Sequence, residues 1–96
     1  MPKKGLKLLI TGRVLGVNFR SQAQRKATQL ALTGHIKAMP NRTLEVFAEG
    51  QEKDLKTFSE WLIEGPKNAQ IEDTEIEWYP FEGRTNRFTI KYAIDR

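Results

Sequence analysis

The alternation of apolar and polar positions fixes most of the expected elements. Leu6, Leu8 and Ile10 alternate with Lys7, Leu9 and Thr11. A period of two marks a strand with one clearly apolar face. From Gly12 to Arg20 the alternation stops, and two glycines mark a loop. Between Ser21 and Leu32 the period changes: Ala23, Ala27, Leu30 and Ala31 share one helical face, with Gln22, Gln24, Arg25 and Lys26 off it. Thr33-Gly34 is expected to end this helix, with Gly34 as a left-handed cap.

Two short extended runs follow, His35 to Ala38 and Thr43 to Glu49, joined by the turn-forming Met39-Pro40-Asn41-Arg42. In the second run Leu44, Val46 and Ala48 alternate with Glu45, Phe47 and Glu49, and Gly50 closes it. Gln51 to Glu64 is expected to be a second helix, burying Leu55, Phe58, Trp61 and Leu62 and stopped by Gly65-Pro66. Ile71 to Tyr79 predicts a strand with Ile76 and Trp78 on one face and a solvated row of acids beside them. Phe88, Ile90 and Tyr92 predict a last strand, separated from the previous one by Pro80 and Gly83. The order is β-α-β-β-α-β. It predicts an α+β, ferredoxin-like sandwich: an antiparallel sheet with two helices on one face. Many unrelated activities share that architecture, so the fold alone assigns none.

Composition narrows the chemistry. The 96 residues predict a single domain, residues 1–96, with 39% hydrophobic residues, enough for one modest core. No apolar run approaches the ~18 residues that suggest a membrane span. The apolar stretch Leu6 to Ile10 is too short for a signal sequence and contains Lys7, so the chain is expected to be cytoplasmic, without a membrane partner, and monomeric. The absence of cysteine excludes disulfides, thiol catalysis and thiolate metal sites. The single histidine, His35, excludes histidine clusters and is expected to be structural. No metal and no cofactor are expected. The net charge of +4, dispersed along the chain, leans mildly towards anions and is no nucleic-acid signature.

One loop stands out. Gly12-Arg13-Val14-Leu15-Gly16-Val17-Asn18-Phe19-Arg20 feeds a helix N-terminus, where backbone N–H groups lack intrahelical partners and the dipole adds positive charge. Gly16 permits successive N–H groups to converge into a nest for an anion. Arg20, at the end of the loop, offers paired planar donors for phosphate or carboxylate oxygens. A bare chain reversal and a solvated surface arginine are equally open on spacing alone.

The run Gly-Arg-Val-x-Gly-Val-x-Phe-Arg at 12–20 resembles the signature of the acylphosphatases. The resemblance continues through Gly34, Glu45, Gly50, Gly65-Pro66 and Ala69-x-Ile71 to Phe88-x-Ile90-x-Tyr92, nearly the whole chain. It implies hydrolysis of carboxyl-phosphate anhydrides without metal, cofactor or covalent intermediate. By the same resemblance Leu15, Gly16, Val17, Asn18, Phe19 and Arg20 would wrap a phosphate, and Arg20 would pair with its oxygens. The family's second signature is glycine, aromatic, valine, basic, asparagine, three residues, glycine. It stands here as Gly34-His35-Ile36-Lys37-Ala38-Met39-Pro40-Asn41-Arg42. Ala38 therefore occupies the place of the catalytic asparagine that orients the attacking water. Alanine has no polar atom for that task, and losing such a group typically costs about 10²- to 10³-fold in rate. Asn41 lies roughly 10 Å along an extended strand from Ala38 and is expected to be a turn former. Asn18 is the other candidate substitute.

The expectation is an acylphosphatase-like hydrolase of acyl phosphates, impaired at Ala38. Its alternative is a non-catalytic module for inorganic phosphate or sulfate. RNA binding on the sheet, as in other domains of this element order, is disfavoured because Phe47 lies between two glutamates.

Overall fold

The computed structural model of the chain describes residues 2–13, 18–65 and 69–91. The elements are β1 (Lys3–Arg13), α1 (Phe19–Gln29), β2 (Thr33–Met39), β3 (Thr43–Gln51), α2 (Glu52–Glu64), β4 (Gln70–Pro80) and β5 (Phe88–Lys91). Among the described residues no helix is long and apolar enough to cross a membrane.

The strands form one five-stranded sheet in the order β4-β1-β3-β2-β5. Three pairings are antiparallel, β4 with β1, β1 with β3 and β3 with β2. The fourth, β2 with β5, is parallel. The sheet is therefore mixed, and the antiparallel expectation holds for four of its strands. The cause is the break between Pro80 and Phe88: β4 closes one edge, and the chain passes to the opposite edge before β5 begins.

Strand alternation separates two faces. Leu6, Leu8 and Ile10 of β1, Leu44, Val46 and Ala48 of β3, and Ile36 of β2 are fully buried towards the helices. They meet Phe19, Ala23 and Ala27 of α1 and Leu55, Phe58 and Leu62 of α2 in one core. Trp61 is half-buried rather than fully enclosed. It packs edge-on to Phe19 and stacks on Phe58, closing the seam between the helices. Among the described residues, no helix packs on the other face of the sheet.

Several boundaries differ from the sequence expectation. Strand β1 runs on to Arg13, into the expected loop; Met39 belongs to β2 rather than the turn, and Gln51 to β3 rather than α2. Helix α1 begins two residues earlier than Ser21, so Phe19 and Arg20 belong to its first turn. It also ends earlier, at Gln29, and Gly34 is not its cap. The left-handed residue is Ala31, at φ 59°. The Leu32 N–H donates to Ala27 O at 2.9 Å and the Ala31 N–H to Thr28 O at 3.0 Å. This is the paired hydrogen bonding of a Schellman ending, built on alanine instead of glycine. Gly34 has another task. It lies in β2, where an added Cβ would stand 1.9 Å from the Phe47 carbonyl oxygen. Only glycine allows β2 and β3 to approach this closely.

The α2 ending matches expectation. Gly65 has φ 81°, and its N–H donates to Trp61 O at 2.8 Å. Pro66 and Tyr92 lie outside the described residues.

A candidate anion site at one end of the sheet

Strands β1 and β2 finish at the same end of the sheet. Thr11 pairs with Thr43, and Thr43 with Met39, so one row crosses β1, β3 and β2. The row below contains Ile10, Leu44 and Ala38. Leu44 and Ile10 are fully buried. Ala38, on the same face, is half-buried and packs against the core from its rim. With β3 between them, Ala38 and Ile10 stand roughly 10 Å apart.

Helix α1 starts at this end, because the chain enters it from the end of β1, and it runs back over β2 and β5. Gln24 Nε2 donates to Phe88 O at 3.0 Å, tying the second turn of α1 to β5. The first turn of α1, with Phe19 and Arg20, is thus placed at the same end and on the same face as Ala38. Phe19 is buried and anchors that turn in the core; Arg20 is half-buried beside it, and Asn18 is exposed. Leu15, Gly16 and Val17 lie outside the described residues.

The N-terminus of α1 is electrostatically unusual. Asn18, at its cap position, is left-handed (φ 57°, ψ 29°), and its side chain makes no cap hydrogen bond. The first backbone bond of the helix runs from the Gln22 N–H to Asn18 O at 3.0 Å. The N–H groups of Phe19, Arg20 and Ser21 have no carbonyl within the helix to reach. The first turn holds no acidic residue and does hold Arg20. A cation at a helix N-terminus opposes the macrodipole, by about 0.3–1 kcal/mol. The rest of α1 adds Arg25 and Lys26 and no acid.

Helix α2 provides the internal contrast. Its first turn carries Glu52 and Asp54. Glu52 meets Lys4 and Lys56, each at 3.6 Å. One helix start carries its own carboxylates; the first turn of the other carries none.

The turn between β2 and β3 closes the same end. Asn41 and Arg42 both have positive φ, 65° and 58°. Asn41 is exposed at the tip, in a turn-forming conformation. The Gly12 N–H donates to Arg42 O at 3.0 Å, and Arg42 Nη2 donates to Glu72 Oε1 at 3.2 Å. The turn is thereby fastened to the stem from which residues 14–17 depart and to a bulge in β4 facing Thr11 and Gly12.

His35 lies away from this site, on the helix-free face. Its Nε2 is 2.9 Å from Glu45 Oε2, and its ring stacks on Phe47 with centroids 6.0 Å apart. The hydrogen bond from His35 lowers the Glu45 pKa; burial opposes it, and the charges of His35, Lys7 and Lys37 add to the lowering. An ionised carboxylate only accepts, so Nε2 carries the proton. Nothing in the sequence singled out this pair, because its members lie ten positions apart on adjacent strands.

The acylphosphatase family model matches residues 6–90. An acylphosphatase of Thermus thermophilus is 41% identical over 78 residues, 81% of this chain and 86% of that protein. One of Marinobacter nauticus is 37% identical over 82 residues, 85% of this chain and 86% of that protein. Among solved structures, the acylphosphatase of Bacillus subtilis superposes with a TM-score of 0.87 at 29% identity, over 93% of this chain and 99% of that one.

Proposed function

This chain belongs to the acylphosphatase family, and from that premise we propose that it is a slow hydrolase of carboxyl-phosphate anhydrides. Residues 15–20 hold the phosphate through backbone N–H groups, and Arg20 pairs with its oxygens. The observation that carries this reading is the α1 N-terminus: no side-chain cap, no acid, and Arg20 in the first turn against the dipole. Glu52 and Asp54 stand at the start of α2, whereas no acid in the first turn of α1 competes with an incoming anion.

The reaction needs little else. A water oxygen forms a bond to phosphorus as the bond from phosphorus to the acyl oxygen breaks. The carboxylate leaves with that electron pair, and the water's protons pass to phosphate and solvent. The leaving group is good. Rate therefore depends on holding the phosphoryl group, stabilising its equatorial charge and aiming the water. Arg20 and the loop serve the first two tasks. Ala38, at the rim of the core on the same side as Arg20, leaves the water without a side-chain partner. In this reading the enzyme is a cytoplasmic monomer acting on small acyl phosphates without metal or cofactor.

Benzoyl phosphate hydrolysis by the protein and by Arg20→Ala tests the proposal. Measurable turnover that Arg20→Ala abolishes supports it. Turnover unaffected by Arg20→Ala overturns the site assignment. No turnover, with phosphate still shifting the amide signals of residues 15–20, replaces the hydrolase with an anion-binding module.

A further inference from the structure

On the helix-free face, opposite the anion site, a row of side chains crosses the sheet: His35 on β2, Phe47 on β3, Lys7 on β1 and Glu77 on β4. In the adjoining row Tyr79 pairs with Gly5, which has no side chain to fill the floor. The result is an open cavity of about 300 Å³, walled by Lys7, His35, Glu45, Phe47, Tyr79, Pro80 and Glu82. That volume lies at the small end of ligand pockets.

Its walls are ordered by their own contacts. His35 stacks on Phe47, and Phe47 meets Tyr79 at 6.4 Å between centroids, tilted by 57°. The Tyr79 hydroxyl donates to Glu77 Oε1 at 2.6 Å. Glu49, only 2% exposed, accepts the Glu82 N–H at 2.8 Å and the Gly83 N–H at 3.0 Å, fixing the stretch that forms the rim. Even so, Tyr79 remains 38% exposed. Aromatic rings held in place and left wet offer faces for stacking.

The charges select the ligand. Glu45 is held ionised by His35 and nearby lysines. Glu82, which also meets Arg84 at 3.1 Å, adds a second carboxylate, while Glu77 accepts the Tyr79 hydroxyl and Glu49 the Glu82 and Gly83 amides. These carboxylates repel phosphate. Lys7 is the ammonium in the same wall. A neutral flat ring whose edge both donates and accepts hydrogen bonds matches this mixture: N–H groups for the carboxylates, and a ring nitrogen or carbonyl for the Lys7 ammonium.

We propose that this cavity binds a neutral nitrogen heterocycle of the nucleobase type, presented without phosphate, stacked on Phe47 and Tyr79 and hydrogen-bonded by Glu45 and Lys7. The site is independent of the anion site and requires no turnover there.

Adenosine is the probe, titrated against amide and aromatic NMR signals of the intact protein. Saturable shifts are expected at Gly5, Lys7, Phe47 and Tyr79, with none at residues 19–21. Phe47→Leu and Tyr79→Leu should each weaken binding on the order of ten-fold or more, as loss of an aromatic stacking partner does. Glu45→Gln, which leaves the apolar walls intact, should also weaken it if either leucine variant fails to fold. AMP should bind less tightly than adenosine, and single-stranded RNA should not displace it. The proposal falls if adenosine gives no saturable shift up to millimolar concentration, or if the shifts centre on α1. It falls equally if folded variants bind as the parent does, or if AMP or RNA binds this face more tightly than adenosine.

Discussion

Ala38 stands opposite Leu44 in the β2–β3 ladder, and Leu44 is sealed in the core. Opposed residues of an antiparallel pair point to the same side, so the side chain at position 38 is directed to the helix layer, at the end where α1 begins. Ala38→Asn would restore a donor and an acceptor there. We expect kcat for benzoyl phosphate to rise by about 10²- to 10³-fold, with KM little changed because the phosphate contacts are untouched. Burying part of an amide at the core rim should lower stability by about 1 kcal/mol. Steady-state kinetics and urea titration on the two proteins measure both effects. An unchanged kcat would remove position 38 from the catalytic account.

Ala31 holds the left-handed place at the end of α1, at φ 59°. A side chain in that region costs about 1–2 kcal/mol. Glycine relieves it while adding disorder to the unfolded chain. Ala31→Gly should stabilise the protein by about 0.5–1 kcal/mol net, read as a higher urea midpoint at constant slope.

Glu49 is buried and accepts two backbone N–H groups from the passage between β4 and β5. Glu49→Ala leaves both donors without their acceptor and should cost about 2–3 kcal/mol. Glu49→Gln, which keeps one acceptor oxygen, should cost less. Hydrogen exchange at the Glu82 and Gly83 amides should accelerate in both variants, more in the alanine one.

Glu45 sets part of the acid limb of stability. Its folded pKa is lowered, first by the His35 hydrogen bond, from an ordinary value of 4.5. The unfolded chain therefore takes up this proton at higher pH than the folded one. The contribution is complete above the ordinary value and is lost as pH falls through the lowered one. Glu45→Gln should reduce stability at pH 7 by on the order of 1 kcal/mol and flatten the decline below about pH 4.5. Urea titrations at pH 7, 5 and 3 test the difference in slope.

The sequence disclosed what local periodicity governs. The burial of Leu6, Leu8 and Ile10, the helical stripe of Leu55, Phe58 and Leu62, and the cap at Gly65 all follow from spacing and from glycine's conformational range. What depends on non-local partners was hidden. Gly34 resembles a helix cap in one dimension and is a strand contact in three, because the Phe47 carbonyl oxygen comes from another strand. Glu49 looks like one more surface acid until Glu82 and Gly83 fold over it. At the candidate site, Arg20 was legible as a residue but not its place inside α1. Its meaning came from contrast with the acidic start of α2, visible only once both helix starts are fixed.

The position of β1 also sets the order of assembly. The proposed anion loop follows β1, whose neighbours are β3 and β4. Leu6 pairs with Ala48 on one side and Trp78 on the other, partners separated from it by much of the chain. Closing such distant pairings precedes any reward from them, which slows folding relative to local topologies. During synthesis the stem of the proposed phosphate loop stays incompletely held until β4 has emerged. A nascent chain halted before residue 80 should thus display an α1 start without an anchored loop, and phosphate should bind only after the fourth strand docks.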